Sequence, residues 1–242
     1  MTRVLLLAGT GEARAIAAAL RDDAGFEVLA SLAGATTRPA DLGVPVRSGG
    51  FGGPEGLRRF IAAERIDLLV DATHPFAAQM KRHAAAQSIP VCHVIRPGWP
   101  RQADDRWTEV ASLAEAARAL PGDARALLAL GQRHLGDFRG HHATLFVRSL
   151  EQPPDDAALP GAHFIIGGPG PVDREAALLR SEAISHLVCR NAGGPAGHTK
   201  IEAARRLGVP VIMVRQPDPP DGTIVETPEG AVAWCIARRD PR

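Results

Sequence analysis

Val4-Leu5-Leu6-Leu7-Ala8-Gly9-Thr10-Gly11-Glu12-Ala13-Arg14 decides the fold. An apolar run of strand length breaks at a glycine turn. It gives way to a helical pattern with Ala13, Ile16, Ala17 and Leu20 on one face. A strand, a Gly-x-Gly turn and a helix in that order begin a βαβ unit. Outward from it, residues 26–31, 45–47, 67–72 and 90–95 read as further strands, with helices over 54–64 and 75–87 between the later ones. Short apolar strands separated by helical crossovers are the pattern of a parallel sheet.

Residues 96–107, from Arg96-Pro97-Gly98-Trp99-Pro100-Arg101 to Trp107, are rich in proline, glycine and polar residues and lack periodicity. They separate two apolar regions and are read as a domain junction. A second series follows, with strands expected over 125–130, 144–147, 163–166, 186–189 and 210–214 and helices over 113–120, 173–181 and 198–207. The last helix ends at Gly208 with Pro210 beyond it, a stop signal. A final helix over 228–239 fits either region. The expectation is an α/β chain of two Rossmann-like domains, residues 1–100 and 101–242, with mainly parallel sheets, helices on both faces and a ligand cleft between them.

Composition narrows the function. No apolar run approaches the about 20 residues that span a bilayer, and the N-terminal run breaks at Gly9, too early for a secretory signal. A soluble, cytoplasmic protein without a membrane partner is expected. The net charge of +1 gives no electrostatic case for nucleic acid. Cys92, Cys189 and Cys235 have no metal-type spacing and sit in apolar stretches, so they read as core residues and no metal is expected. Basic charge is almost all arginine, because Lys81 and Lys200 are the only lysines. Arginine's planar fork suits carboxylates and phosphates, although a GC-rich genome gives the same bias.

Gly9, Thr10, Gly11 and Glu12 follow a strand and open a helix, where backbone amides are oriented toward a phosphate. Arg14 stands where the third glycine of GxGxxG belongs, so an ordinary tight turn is an equal reading. No acid follows the second strand. Ser31, Thr36, Thr37 and Arg38 stand there instead, donors suited to a 2′-phosphate, which favours NADP over NAD. Ser48-Gly49-Gly50-Phe51-Gly52-Gly53 lets backbone approach a flat ligand, or else is a flexible turn around a buried ring. In Asp71-Ala72-Thr73-His74-Pro75-Phe76-Ala77, Thr73 is a candidate helix cap, and His74 is a candidate acid or simply a packing residue. Arg190-Asn191-Ala192-Gly193-Gly194, with Lys200 beyond, reads as an anion-binding loop or a solvated connection. Arg96, Arg133, Arg148, Arg190 and Arg215 each fall at the carboxyl end of an expected strand, which suggests a polycarboxylate ligand, with chance and snorkelling as the alternative.

Together these segments, with Lys200-Ile201-Glu202-Ala203-Ala204-Arg205, resemble the precorrin-6A reductase family of cobalamin biosynthesis, including its cobalt-precorrin-6A members, nearly end to end. The Thr73 to Ala77 segment and the late glycine loop are the more specific parts. Ala192 stands where a serine is expected, and Gln216-Pro217 where Arg-Pro is common. The resemblance implies an NADPH-dependent oxidoreductase that passes hydride to a ring carbon of a tetrapyrrole polycarboxylate and adds a proton at its neighbour. On that reading Gly9, Thr10, Gly11, Glu12, Ser31 and Arg38 hold NADPH, with Thr73, His74 and Phe76 near the nicotinamide. Arg14, Arg133, Arg148, Arg190, Asn191, Gly193 and Lys200 orient the substrate. His74 and Lys200 are the candidate proton donors, with water as an equal one, because the chain has no tyrosine.

Two rivals stand beside this reading. Gly167-Gly168-Pro169-Gly170-Pro171-Val172-Asp173 resembles the glycine-proline loop of tetrapyrrole methyltransferases that use S-adenosylmethionine. The other rival is a two-domain protein that binds an anionic small molecule without turnover.

Overall fold

Leu5 and Leu7 point to one side of the first strand, and Val4, Leu6 and Ala8 to the other, all of them buried. That strand is β1 (Thr2–Leu7), followed by α1 (Gly11–Arg21), β2 (Phe26–Leu32), β3 (Val46–Ser48), α2 (Gly53–Ala63), β4 (Leu68–Asp71), α3 (Ala78–Ala85) and β5 (Val91–Val94). The computed structural model describes residues 1–34, 41–131, 134–152, 159–195 and 197–239. Ala13, Ile16, Ala17 and Leu20 bury the expected face of α1 against Val4, Leu6 and Val28. Leu57 and Ile61 of α2 and Ala84 of α3 cover Leu5, Leu7 and Leu69 on the opposite face. Both faces of the sheet are therefore dry, which is why its strands are continuously apolar.

The next elements are β6 (Trp107–Val110), α4 (Leu113–Ala119), β7 (Arg125–Ala129), β8 (Thr144–Ser149), β9 (His163–Ile166), α5 (Val172–Ser181), β10 (His186–Arg190), α6 (Thr199–Leu207) and β11 (Val211–Val214). In their core, Leu127, Phe146, Leu187 and Met213 pack against Ala176 and Leu179 of α5 and Ile201 and Ala204 of α6. The other side carries α4, which packs on β6 and β11. Gly208 caps α6 with φ +64, as its sequence position requires. The chain ends with β12 (Thr223–Val225) and α7 (Pro228–Ile236).

All strand pairings are parallel among the described residues. The sheet orders are β3-β2-β1-β4-β5-β12 and β9-β8-β7-β10-β11-β6. Each is a doubly wound run with its order reversing beside the first strand of the run, at β1/β4 and at β7/β10. Each also carries a sixth strand on the outer side of its fifth. The chain passes from the fifth strand of one unit directly to the sixth strand of the other, in both directions.

This connectivity corrects one expectation. The compact units are Met1–Arg96 with the segment from Pro217 onward, and Pro97–Gln216. Residues after Gln216 thus belong with the first sheet and not in a domain of 101–242. Thr223, Ile224 and Val225 pair with Cys92, His93 and Val94, and Trp234 and Cys235 of α7 join the core of Ile16 and Leu20. The sequence hides this because β12 has three residues, mostly exposed, and carries no alternation of its own. β6 is hidden in the same way: its first residue, Trp107, closes the stretch that reads as a junction, and its burial pattern does not alternate. Among the described residues no helix is long and apolar enough to cross a membrane.

Candidate active site

In the first unit the turn after β1 and the segment after β4 flank the switch point of the sheet, the place where such sheets take ligands. Gly9 has φ +140, a conformation costly for any side chain. A Cβ at Gly9 or Gly11 would meet nothing within 4 Å, so both glycines border open space. Thr10 caps α1, its hydroxyl accepting from the Ala13 amide at 3.2 Å while donating to the Ala72 carbonyl at 2.8 Å. The hydroxyl thereby ties together the two loops that flank the switch point. Arg14 is exposed on α1, so the missing third glycine costs no close packing there.

Glu12 accepts from Arg96 at 2.7 Å. Burial would raise the Glu12 carboxyl, but its hydrogen bonds and the Arg96 charge outweigh this and hold it below the usual range. Its negative charge is thus matched beside a helix N-terminus built to receive an anion.

Behind the segment after β4 lies a buried charge cluster that sequence reading missed. Asp71 is fully buried; its Oδ2 accepts from His93 Nδ1 at 2.8 Å and from Lys81 Nζ at 3.2 Å. Its Oδ1 accepts from the Thr73 amide and hydroxyl at 3.1 and 2.6 Å. Desolvation would raise the Asp71 carboxyl, yet His93, Lys81 and Thr73 together hold it below its ordinary value. His93 Nε2 is buried with no partner among the described residues. A polar residue within the strand Val91-Cys92-His93-Val94 was the available signal, since buried strand positions rarely take one unpaired.

The helix expected from Pro75 starts at Ala78 instead, and its cap position is Ala77, so Thr73 is not a cap. His74 and Phe76 form a turn: the Phe76 amide donates to His74 Nδ1 at 3.2 Å, and the Ala77 amide to the His74 carbonyl at 2.8 Å. With Nδ1 accepting, the neutral imidazole carries its proton on Nε2. Ser31 is buried at the end of β2 and accepts from Arg47, another residue not expected at the site. Arg38 and Arg133 lie outside the described residues.

In the second unit Arg148, Arg190, Asn191, Gly193 and Lys200 gather around the ends of β8 and β10. Arg148 pairs with buried Glu175 at 2.6 Å, and Glu175 also accepts from the Gly170 amide at 2.8 Å. Its charge is therefore matched within the protein. Arg190 donates to the Leu130 carbonyl at 2.7 Å, and burial lowers its pKa. The Asn191 amide brackets Trp99, accepting from its backbone N–H at 2.6 Å and donating to its carbonyl at 3.1 Å. The Trp99 indole donates to the Gly194 carbonyl at 2.7 Å. Gly193 and Gly194 have φ +66 and +76. Lys200 is buried, donates to the Gly197 carbonyl at 2.6 Å and lies 4.8 Å from the centre of the Trp99 ring. Desolvation is the main reason its pKa is lowered. Arg215 is exposed. Among the described residues no group of three His, Cys, Asp or Glu side chains could hold a metal ion.

A family model described as "Precorrin-6x reductase CbiJ/CobK" matches residues 3–236. The chain belongs to the precorrin-6A and cobalt-precorrin-6A reductase family. A precorrin-6A reductase of Rhodobacter capsulatus is 44% identical, over 97% of this chain and 96% of that one. A cobalt-precorrin-6A reductase of Methanothermobacter thermautotrophicus is 31% identical, over 89% of this chain and 76% of that one. The solved structure of "CobK precorrin-6A reductase" superposes with a TM-score of 0.90 at 42% identity, covering 98% of this chain and 97% of that one. Membership displaces the methyltransferase reading of the loop at 167–173. That loop is instead anchored through Gly170 and Glu175 in a reductase-family fold.

Proposed function

We propose that this protein reduces one double bond of precorrin-6A with NADPH in cobalamin biosynthesis, giving the dihydro product precorrin-6B. The observation that carries the reading is the strand, open glycine turn and helix at the switch point of the first sheet, within a chain that the reductase family matches almost throughout. The donor set fits a dinucleotide. Gly9 and Gly11 leave room for it, and the N-terminus of α1 attracts its pyrophosphate, with Glu12 neutralised by Arg96. Thr10 holds the turn in place, and Ser31, with Arg38 on the family resemblance, is the candidate ligand for the adenosine ribose. When bound, NADPH supplies the hydride.

Thr73, His74 and Phe76 border the nicotinamide position, held from behind by Asp71. The proton for the neighbouring carbon comes from the Nε2–H of His74 or from water; Lys200, committed to Gly197, serves as a positioning residue. The second unit acts as the substrate domain, with Arg148, Arg190, Asn191, Gly193 and Lys200 as its candidate ligands for the macrocycle; Arg14 and Arg133 remain candidates on the family resemblance. Holding donor and acceptor in line supplies most of the rate in such a reaction, because the cofactor carries the chemistry.

The stronger similarity to the precorrin-6A reductase than to the cobalt-precorrin-6A enzyme favours the substrate without cobalt. The test is NADPH oxidation by purified protein with precorrin-6A, with its cobalt analogue and with neither. Oxidation that requires precorrin-6A and is faster with NADPH than with NADH is expected. No oxidation with either macrocycle would overturn the reading.

A further inference from the structure

β3 ends beside β2 in a register that pairs Arg47 with Ser31. Side chains paired in this way share a face of the sheet, and here they bond: Arg47 NH1 donates to Ser31 Oγ at 2.8 Å. NH1 also donates to the Gly49 carbonyl at 2.9 Å, and NH2 to the Gly50 carbonyl at 3.1 Å. The guanidinium lies 4.1 Å from the centre of the Phe51 ring and 5.1 Å from that of Phe60. These partners are all neutral, and Arg47 has no carboxylate partner among the described residues. A fixed cation thus stands at the carboxyl edge with its charge unmatched, unlike Arg96 or Arg148.

The donor count points outward. Three of the five guanidinium N–H groups are used, which leaves the Nε proton and one on NH2 without an acceptor among the described residues. Ser31 Oγ accepts from Arg47, so its own proton is left to donate, and it too has no acceptor among the described residues. A Cβ at Gly50, Gly52 or Gly53 would meet nothing within 4 Å, so the loop beside this pair borders open space.

In a sheet of this order the end of the second strand meets the adenosine ribose. An acid there binds the 2′-hydroxyl, and a cation accommodates a 2′-phosphate. We infer that Arg47, presenting the Ser31 hydroxyl beside it, binds the 2′-phosphate of NADPH and sets the preference for NADPH over NADH. The inference rests on the cofactor reading given above. It adds a residue that comes from the third strand and not from the loop that carries Arg38.

Fluorescence titration of the intact protein with NADPH and with NADH, without macrocycle, tests it. Arg47→Ala is expected to weaken NADPH about 10- to 100-fold, the range for a charge-assisted contact, while NADH changes less than about 3-fold. Arg47→Lys keeps the charge and recovers part of the loss. Unmodified protein is expected to bind adenosine 2′,5′-bisphosphate well above adenosine 5′-monophosphate, in a salt-sensitive way, which holds even if Arg47→Ala misfolds. An NADPH/NADH ratio that survives Arg47→Ala but collapses in Arg38→Ala would overturn the assignment and leave the cofactor reading standing. Equal loss of both nucleotides in Arg47→Ala and Arg47→Lys, with no preference for the bisphosphate, would reduce Arg47 to a loop support. If unmodified protein binds neither nucleotide, the cofactor reading itself fails.

Discussion

The two sheets share a strand order but finish their carboxyl edges differently. At the first edge, glycines have open space beside them, and the half-buried Glu12 is matched by Arg96 and the buried Asp71 by Lys81 and His93. At the second edge Arg148 pairs with the carboxylate of Glu175. Arg190 and Lys200 there each donate to a backbone carbonyl, those of Leu130 and Gly197. The contrast teaches that one strand order can finish its carboxyl edge in two ways. On the proposed function, the first would receive its ligand through backbone amides at a helix end with Arg47 beside them, and the second through side-chain cations.

The largest effect expected from breaking this contrast is in the matched cluster. Asp71→Ala strands Lys81 in the core of the first unit, and removing one member of a buried ion pair costs about 3–5 kcal/mol. Urea unfolding followed by Trp234, with Trp99 and Trp107 replaced by phenylalanine, reports the first unit. A loss under about 1 kcal/mol would show that Lys81 escapes to water and that the cluster does not organise this edge.

A smaller effect follows from acid. Asp71 and Glu12 hold their protons less tightly folded than unfolded, so the unfolded chain takes up protons first as pH falls. The stability they contribute is complete above the ordinary carboxylate range, about 4, and is lost as pH drops through their lower folded values. Lys200 behaves oppositely: its lowered pKa means that stability of the second unit rises with pH up to the ordinary lysine value of about 10.4. Stability reported by Trp234 should therefore fall toward acid, and stability reported by Trp99 and Trp107 should rise toward alkali. Identical pH profiles from the two probe sets would remove the distinction.

Much of this was legible in the sequence, for local reasons. The continuous apolar run of Val4 to Ala8 and the helical period of Ala13, Ile16, Ala17 and Leu20 are written within a few residues of one another, and the structure buries both faces of the first and the expected face of the second. The sequence shows no β12 and leaves α7 open between the two regions, because their partners, β5 and α1, lie more than a hundred residues earlier and β12 is too short to alternate. The loops of the site could be found because glycine and proline mark turns locally. The charge cluster could not, because Asp71, Lys81 and His93 meet only when β4, α3 and β5 assemble. Arg47 escaped because Arg38 had already supplied the cation expected after the second strand. Cations at strand ends could be counted from sequence, whereas Glu175, which neutralises Arg148, sits on a later helix.

The finest distinction between the edges is in two helix caps. Thr10 caps α1 and also donates to the Ala72 carbonyl; Ser112 caps α4 by accepting from the Glu115 amide at 3.1 Å and has no cross-loop bond among the described residues. Loss of a cap costs about 1 kcal/mol, within a range of 0.5–2, so Thr10→Ala and Ser112→Ala should destabilise their units similarly. Only Thr10→Ala also frees the glycine turn from the segment carrying Thr73 and His74. NADPH affinity should then fall about 3- to 10-fold in Thr10→Ala, the equivalent of one neutral hydrogen bond, and stay unchanged in Ser112→Ala. Because the two variants lose the same kind of cap, a difference between them in nucleotide binding isolates the bond across the switch point. Equal affinities would mean that the turn after β1 keeps its shape through Gly9 and the register of β1 with β4 alone.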